Sequence, residues 1–125
     1  MVNVTAKYLI DGDQLSPIQL QRLLGDIGYK DGVGITIFHN GTFGKYNIEF
    51  CRQCKTTGVT TIEAPNIKNG ADFLLISELT LILCNARTAN IFVYTNDKSL
   101  AMAAKFIGSR YFTEINIKPI CIVAV

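Results

Sequence analysis

Short apolar runs alternate along this chain with longer stretches whose apolar residues recur every three or four positions. The first run, Tyr8-Leu9-Ile10, stops on Asp11-Gly12-Asp13. A continuous apolar run of that length, bounded by turn residues, is the pattern of a buried strand. Ser16-Pro17 then supplies an N-cap and a first-turn proline, and Ile18, Leu20, Leu23, Leu24 and Ile27 follow at helical spacing. The opening unit is strand, acidic turn, helix.

The rhythm repeats. After the turn-rich GYKDGVG, Ile35 to Phe38 reads as a second strand ending on His39-Asn40-Gly41. A helix is expected from about Lys45 to Thr57, with Tyr46, Ile48, Phe50, Cys51 and Cys54 on its apolar face and Gly58 at its end. Val59 to Ile62, rich in β-branched residues and closed by Pro65, is the third strand. The polar NIKNG leads into the strongest helix pattern, Ala71 to Ala86, apolar on most sides and so expected to be deeply packed. Ile91 to Tyr94 is the fourth strand, ending on Thr95-Asn96-Asp97. A helix from Lys98 to Ile107 stops at Gly108, and Phe112 to Ile117 and Ile120 to Val125 supply one or two last strands. This order predicts an α/β fold: a doubly wound, mainly parallel sheet with helices on both faces, in a single domain spanning residues 1–125.

Composition sharpens the picture in three respects. With 49% hydrophobic and 18% charged residues the sheet should be covered rather than solvated. A net charge of +2 argues against holding nucleic acid by bulk electrostatics, while leaving room for a local basic rim. The 4 cysteines sit in a chain with core enough to fold without staples, so reduced thiols and a cytoplasmic setting are expected. No leader is expected from Met1 to Ala6, and no membrane contact: the greasiest stretch, Phe73 to Cys84, contains Glu78 and is too short to span a bilayer. Cys51-x-x-Cys54 falls inside a helix, with no second such pair and only His39 for company, and reads as small buried hydrophobes.

The chemistry lies in the acids. In a doubly wound sheet strands one and four become neighbours, and their tips lie roughly 5 Å apart across the crevice where ligands bind. Asp11 and Asp97 then face each other, and Asp72, in the first turn of the helix before strand four, can join them. Glu78 is six residues on, about 9 Å further along the axis, and reaches the group only if that helix lies alongside it. Converging carboxylates repel unless protons or a cation neutralise them, and oxygen ligands of this kind suit Mg²⁺ or Mn²⁺. The chemistry implied is phosphodiester hydrolysis. Each acid also has an ordinary explanation: Asp13 shapes a turn, Asn69 with Asp72 fits a capping pattern, and Asp97 caps the helix that starts at Lys98. Lys68 and Lys98 flank the acids as phosphate contacts, whereas Lys45, Arg52 and Lys55 read as a solvated helix face. Tyr8 and Tyr94 read as core, Ser16 and Ser99 as helix starts, and His39 stands near the edge with no evident nucleophile to serve.

Three segments, YLIDGDQLS, NGADFLLISEL and FVYTNDKSLAMAAKFI, stand in the order and spacing of the NYN domain, a branch of the PIN-like ribonuclease fold, which nearly the whole chain resembles. The family's first-strand aspartate is matched by Asp11, its Lys-x-x-Ala-Asp helix start by Lys68, Ala71 and Asp72, and its further helical acid by Glu78. Where the family has an asparagine or serine just after the first-strand acid, this chain has Asp13 or Gln14. Its Ser-Gly-Asp-Ser-Asp-Phe motif is met by Thr95 to Leu100, with Asp97 kept and Ser99 in place of the second aspartate.

The resemblance implies a metal-dependent endoribonuclease that hydrolyses RNA. Asp11, Asp72 and Asp97 would hold Mg²⁺ or Mn²⁺, Asp13 and Glu78 would be auxiliary acids, and Lys68, Lys98, Ser99 and Asn96 would meet the substrate. The alternative keeps the fold without the chemistry: a degenerate PIN-like module that self-assembles or binds a partner. Ser99, the modest charge and the apolar PICIVAV, an edge strand open to pairing in a homo-oligomer, favour it. A receiver-like phosphoacceptor domain ranks last, since it needs an aspartate at the tip of strand three, where Glu63-Ala64-Pro65 stands.

Overall fold

A computed structural model describes residues 6–14, 17–28, 33–40, 59–65, 67–85, 90–110 and 121–123. The strands are β1 (Ala6–Asp11), β2 (Val33–His39), β3 (Thr60–Glu63), β4 (Asn90–Tyr94) and β5 (Cys121–Val123). The helices are α1 (Pro17–Ile27), α2 (Gly70–Asn85) and α3 (Lys98–Arg110), and a 3-10 turn, Gly12–Gln14, follows β1 directly. The strands form one sheet in the order β3-β2-β1-β4-β5, and every pairing is parallel. The chain thus starts in the middle, winds outward through β2 and β3, then returns past β1 to build β4 and β5. The expected helix at Lys45–Thr57, with Cys51 and Cys54, and the expected strand at Phe112–Ile117 lie outside the described residues.

Side-chain alternation along the strands sorts the core into two layers. Ile10, Ile35 and Ile37 face α1, where Leu20 is fully buried and Leu23, Leu24 and Ile27 pack beside it. Tyr8 and Tyr94 join this layer half-buried; the Tyr8 ring stacks on Phe92 at 4.7 Å between centroids. On the opposite face Leu9, Phe38, Ile91 and Val93 meet α2 through Leu75 and Leu79 and α3 through Leu100 and Ala104. Helices therefore cover both faces of a parallel sheet, and the doubly wound α/β architecture follows from the strand order and these layers together.

Two helices differ from expectation. α2 buries one stripe, Ala71, Leu75, Leu79 and Ile82, but leaves Phe73 62% and Leu81 58% exposed. Apolar residues recur on both sides of this helix, and a single sheet can cover only one of them. α3 runs through Gly108 to Arg110 rather than stopping at it, because Ile107 still packs on the core and holds the last turn in register. Gly28, by contrast, does end α1: it sits at φ 68° and donates its N–H to Leu24 O at 3.0 Å, a left-handed C-terminal cap that glycine adopts without strain.

Urea unfolding tests this division of the α2 and α3 layer. Leu79→Ala should cost about 2–5 kcal/mol by opening a cavity, and Met102→Ala, on the exposed side of α3, should stay within about 0.5 kcal/mol.

Candidate acidic site at the strand tips

Register decides what stands beside Asp11. β1 pairs Asp11 with Phe38 of β2 and Ile10 with Tyr94 of β4, so the residue after β4, Thr95, comes level with Asp11. Asp11 shares the parity of Leu9 and therefore points to the face covered by α2 and α3, just beyond the last core layer. It is only 2% exposed. The Thr95 hydroxyl, itself buried, donates to Asp11 Oδ2 at 2.9 Å and accepts the Asp97 N–H at 3.0 Å. One hydroxyl thus ties the end of β1 to the start of α3.

The helix N-termini complete the edge. Asp97 is the N-cap of α3: its Oδ1 accepts the Leu100 N–H at 3.1 Å and its carbonyl accepts Ala101 N–H at 3.0 Å. The ordinary explanation of Asp97 as a cap therefore holds, and it coexists with a place beside the Asp11–Thr95 pair. For α2 the capping differs from the expected pattern. Asn69 is at φ 60°, a left-handed conformation that asparagine tolerates but that lies away from the extended region of an ordinary N-cap. Its carbonyl accepts the Phe73 N–H, while the side-chain cap on Ala71 N comes from Asn40 Oδ1, 2.7 Å away at the end of β2. Asn40 also donates its backbone N–H to Asp13 Oδ1 at 3.1 Å and its side-chain amide to Asp13 Oδ2.

Glycine at position 12 lets the 3-10 turn lie this close. A Cβ there would stand 2.8 Å from Ile37 Cγ2 and 3.0 Å from the Phe38 carbonyl oxygen. Only a residue without a side chain can carry Asp13 across the end of β2 to Asn40.

The acids act on one another. Burial, and then the charges of Asp72, Asp13 and Asp97, raise the Asp11 carboxyl to about 6 against the opposing Thr95 hydrogen bond. Asp72, half-buried in the first turn of α2, is raised by burial and by Asp97 and Asp13. His39, buried at the end of β2, is lowered by burial against the opposing pull of Glu63 and Asp13, so the imidazole is held in its neutral form. Asp11, Asp13, Asp72 and Asp97 therefore share one electrostatic environment.

Glu78 is not among the charges acting on Asp11 or Asp72. Six residues along α2 from Asp72, it is turned about 240° around the axis as well as displaced along it. Lys68 is exposed in the turn before α2, and Asn96, Lys98 and Ser99 are exposed at the head of α3. Sequence reasoning missed Thr95 and Asn40, whose roles depend on partners 84 and 31 positions away. The TNDKS segment and the polar end of strand two were the only local signals.

Among the described residues no three histidine, cysteine, aspartate or glutamate side chains converge closely enough to hold a metal ion. The oxygens at this edge are the hard donors that Mg²⁺ or Mn²⁺ prefers, but they do not form a closed cage. Mg²⁺ commonly takes one or two carboxylates and completes its shell with waters and substrate phosphate. The edge therefore matches such an ion in donor chemistry and not as a self-sufficient protein site. Among the described residues no helix is long and apolar enough to cross a membrane.

The raised Asp11 carboxyl fixes the sign of a pH effect. Protons bind the folded chain more tightly than the unfolded one, so stability is greatest below the ordinary aspartate value and falls as pH rises through about 6. The span corresponds to about 3 kcal/mol at most, with the raised Asp72 acting in the same direction. Asp11→Asn, which keeps an acceptor for Thr95, should have a higher Tm than the wild type at pH 8, and the advantage should shrink at pH 4.5. Calorimetric melts across that range check it.

Compared with known proteins, the chain matches no family model, no curated protein and no solved structure.

Proposed function

We propose that the acidic edge is a phosphodiester-hydrolysing site of the PIN-like, NYN type, acting on RNA with Mg²⁺ or Mn²⁺. The observation that carries this reading is the buried Asp11, raised to about 6 and surrounded by Asp72, Asp13 and Asp97 at the crevice between β1 and β4. Burying a carboxylate among other carboxylates is costly to a fold, and such concentrations of perturbed acids are characteristic of functional sites. The crevice outside the carboxyl ends of β1 and β4, where the winding reverses, is also where open α/β sheets place their ligands.

In this reading one or two carboxylates drawn from Asp11, Asp72 and Asp97 would hold the cation, with waters and the substrate phosphate completing its shell, and the cation would supply charge neutralisation of the phosphate and activation of water. The chain's own residues set the stage. Thr95 holds the Asp11 carboxylate by one oxygen. Asp97 has Oδ1 committed to the α3 cap, so its second oxygen would be the one to meet the cation. Lys68 and Lys98 offer charge to flanking phosphates, and Asn96 and Ser99 stand on the same rim. Asp13, gripped by Asn40, contributes negative charge through space.

A second reading, a catalytically degenerate module that assembles with copies of itself or with a partner, is favoured by two observations: Ser99 stands where the family has a second aspartate, and no three carboxylates close on one point among the described residues. β5 stands at the end of the strand order, where an outer edge would be open to pairing.

Incubating the purified chain with labelled single-stranded and hairpin RNA in Mn²⁺, Mg²⁺ or chelator separates the two. Metal-dependent cleavage that falls at least 100-fold in Asp11→Asn is the outcome expected of the nuclease, in line with about 10²–10⁴-fold for loss of one catalytic group. Intact RNA with every metal, alongside a concentration-dependent mass in solution, is the outcome expected of the module.

A further inference from the structure

The layer formed by α2 and α3 is apolar on its outer side as well as its inner one. Phe73 and Leu81 on α2 are 62% and 58% exposed, and Met102 and Phe106 on α3 are 72% and 66% exposed. Singly, exposed apolar residues are ordinary; four large ones on two helices that touch form a patch. On each helix they stand about opposite the buried stripe, Leu75 and Leu79 on α2 and Leu100 and Ala104 on α3, so they share one surface. The charges are sorted by helix: those of α2 are Asp72 and Glu78, and those of α3 are Lys98, Lys105 and Arg110. The charge of Asp97, the cap of α3, acts on Asp72, so the two helices begin at one sheet edge and Asp72 marks the flank of α2 nearer α3. Glu78, turned about 240° from Asp72, lies on the other flank. Both helices return from the carboxyl ends of parallel strands and run the same way, and the same sense of rotation then puts Lys105 on the flank of α3 away from α2. Across this face an acid and a base therefore bracket the four apolar side chains.

We propose that this face binds a second copy of the chain in a two-fold dimer, with α2 of each protomer lying along α3 of the other. A surface that carries both halves of a complementary pattern fits its own copy. A two-fold axis parallel to the helices brings the halves together: it carries the α2 side of one protomer over the α3 side of its partner and leaves heights along the helices unchanged. The heights match. Phe73 and Met102 stand about 5 and 6 Å from the heads of their helices, Glu78 and Lys105 about 12 and 10 Å, and Leu81 and Phe106 about 16 and 12 Å. Phe73 then meets the partner's Met102, Leu81 meets the partner's Phe106, and Glu78 meets the partner's Lys105 at the rim, each contact being made twice. An axis across the helices would instead set α2 on α2 and α3 on α3, acid flank to acid flank and base flank to base flank. The charges thus choose between the two arrangements. This dimer buries helices, unlike the pairing that β5 offers at the sheet edge, and it leaves the strands as they are.

Sedimentation equilibrium of the full chain over a wide range of concentrations tests the dimer, with a circular dichroism melt on each variant to check its fold. The wild type should pass from monomer to dimer mass as concentration rises, and Phe106→Asp, a change at an exposed position, should stay monomeric throughout. Glu78→Lys and Lys105→Glu should each weaken dimerisation about 10-fold or more, because each sets like charges together twice, and the two combined should recover the wild-type constant. If Phe106→Asp does not fold, the charge series decides alone. A wild type that is monomeric at every concentration overturns the dimer, whether another segment of the chain or a different protein then covers the face. A dimer that Phe106→Asp leaves intact is held by another surface, such as the β5 edge, and overturns it too. Single charge variants without effect, or a double variant that recovers nothing, overturn the pairing of α2 with α3. Every outcome is read as mass, so none depends on whether the acidic edge cuts RNA.

Discussion

A carboxylate buried at the end of the central strand is the constraint to which the rest of this structure answers. Asp11 is placed there by continuity with Leu9 and Ile10, two fully buried residues that fix β1 in the middle of the sheet and carry its last residue to the rim. Water is largely excluded, and other negative charges surround it. Left alone, such a group would weaken the fold. The Thr95 hydroxyl offsets part of the cost by donating to one oxygen, and partial protonation near pH 6 offsets more. The remainder is the kind of unresolved charge that a cation or a substrate would relieve.

Every neighbouring feature acts on that charge from a different element. β4 brings Thr95 level with Asp11 because parallel pairing on both sides of β1 leaves no freedom in register. α3 begins at Asp97, whose N–H is bound to the same hydroxyl, so the cap of one helix and the hydrogen bond of the buried acid form a single chain of contacts. α2 is seated by Asn40, which also grips Asp13. Two helix N-termini thus meet the edge on the face that Asp11 occupies, and their partial positive charges favour the carboxylates gathered there. Stability and site are not separable here: the bonds that end the strands and start the helices are the bonds that position the acids.

His39 shows how finely the two faces of the sheet divide the chemistry. It shares the parity of Ile37 and so belongs to the α1 side, whereas Asp11 belongs to the α2 and α3 side. It is buried and held neutral, and the opposing pull it feels comes from Glu63, its partner across the β2–β3 pair, and from Asp13. A histidine at a strand tip invites an acid-base role; one sunk behind the rim on the other face is better placed to pack the turn.

The sequence alone determined the framework, because short apolar runs with abrupt polar ends and helical periodicities between them are local signals. β1, β2, β3, β4, α1, α2 and α3 all fall within a few residues of where the pattern places them, and so do Asp11, Asp72 and Asp97 at their tips and caps. The parallel winding was legible in part, since helix-length connections between strands force crossovers and a doubly wound sheet makes strands one and four neighbours, whereas the place of β5 beside β4 came from the tertiary structure. What only the tertiary structure decided are the contacts between tips: that Thr95 and not a neighbour holds Asp11, that Asn40 and not Asn69 caps α2, that Glu78 stands outside the charge cluster, and that Phe73 and Leu81 face outward. Each depends on strand register or on the rotation of a helix about its axis. Those quantities are set by side chains many positions apart packing against each other, and no pattern confined to one segment encodes them.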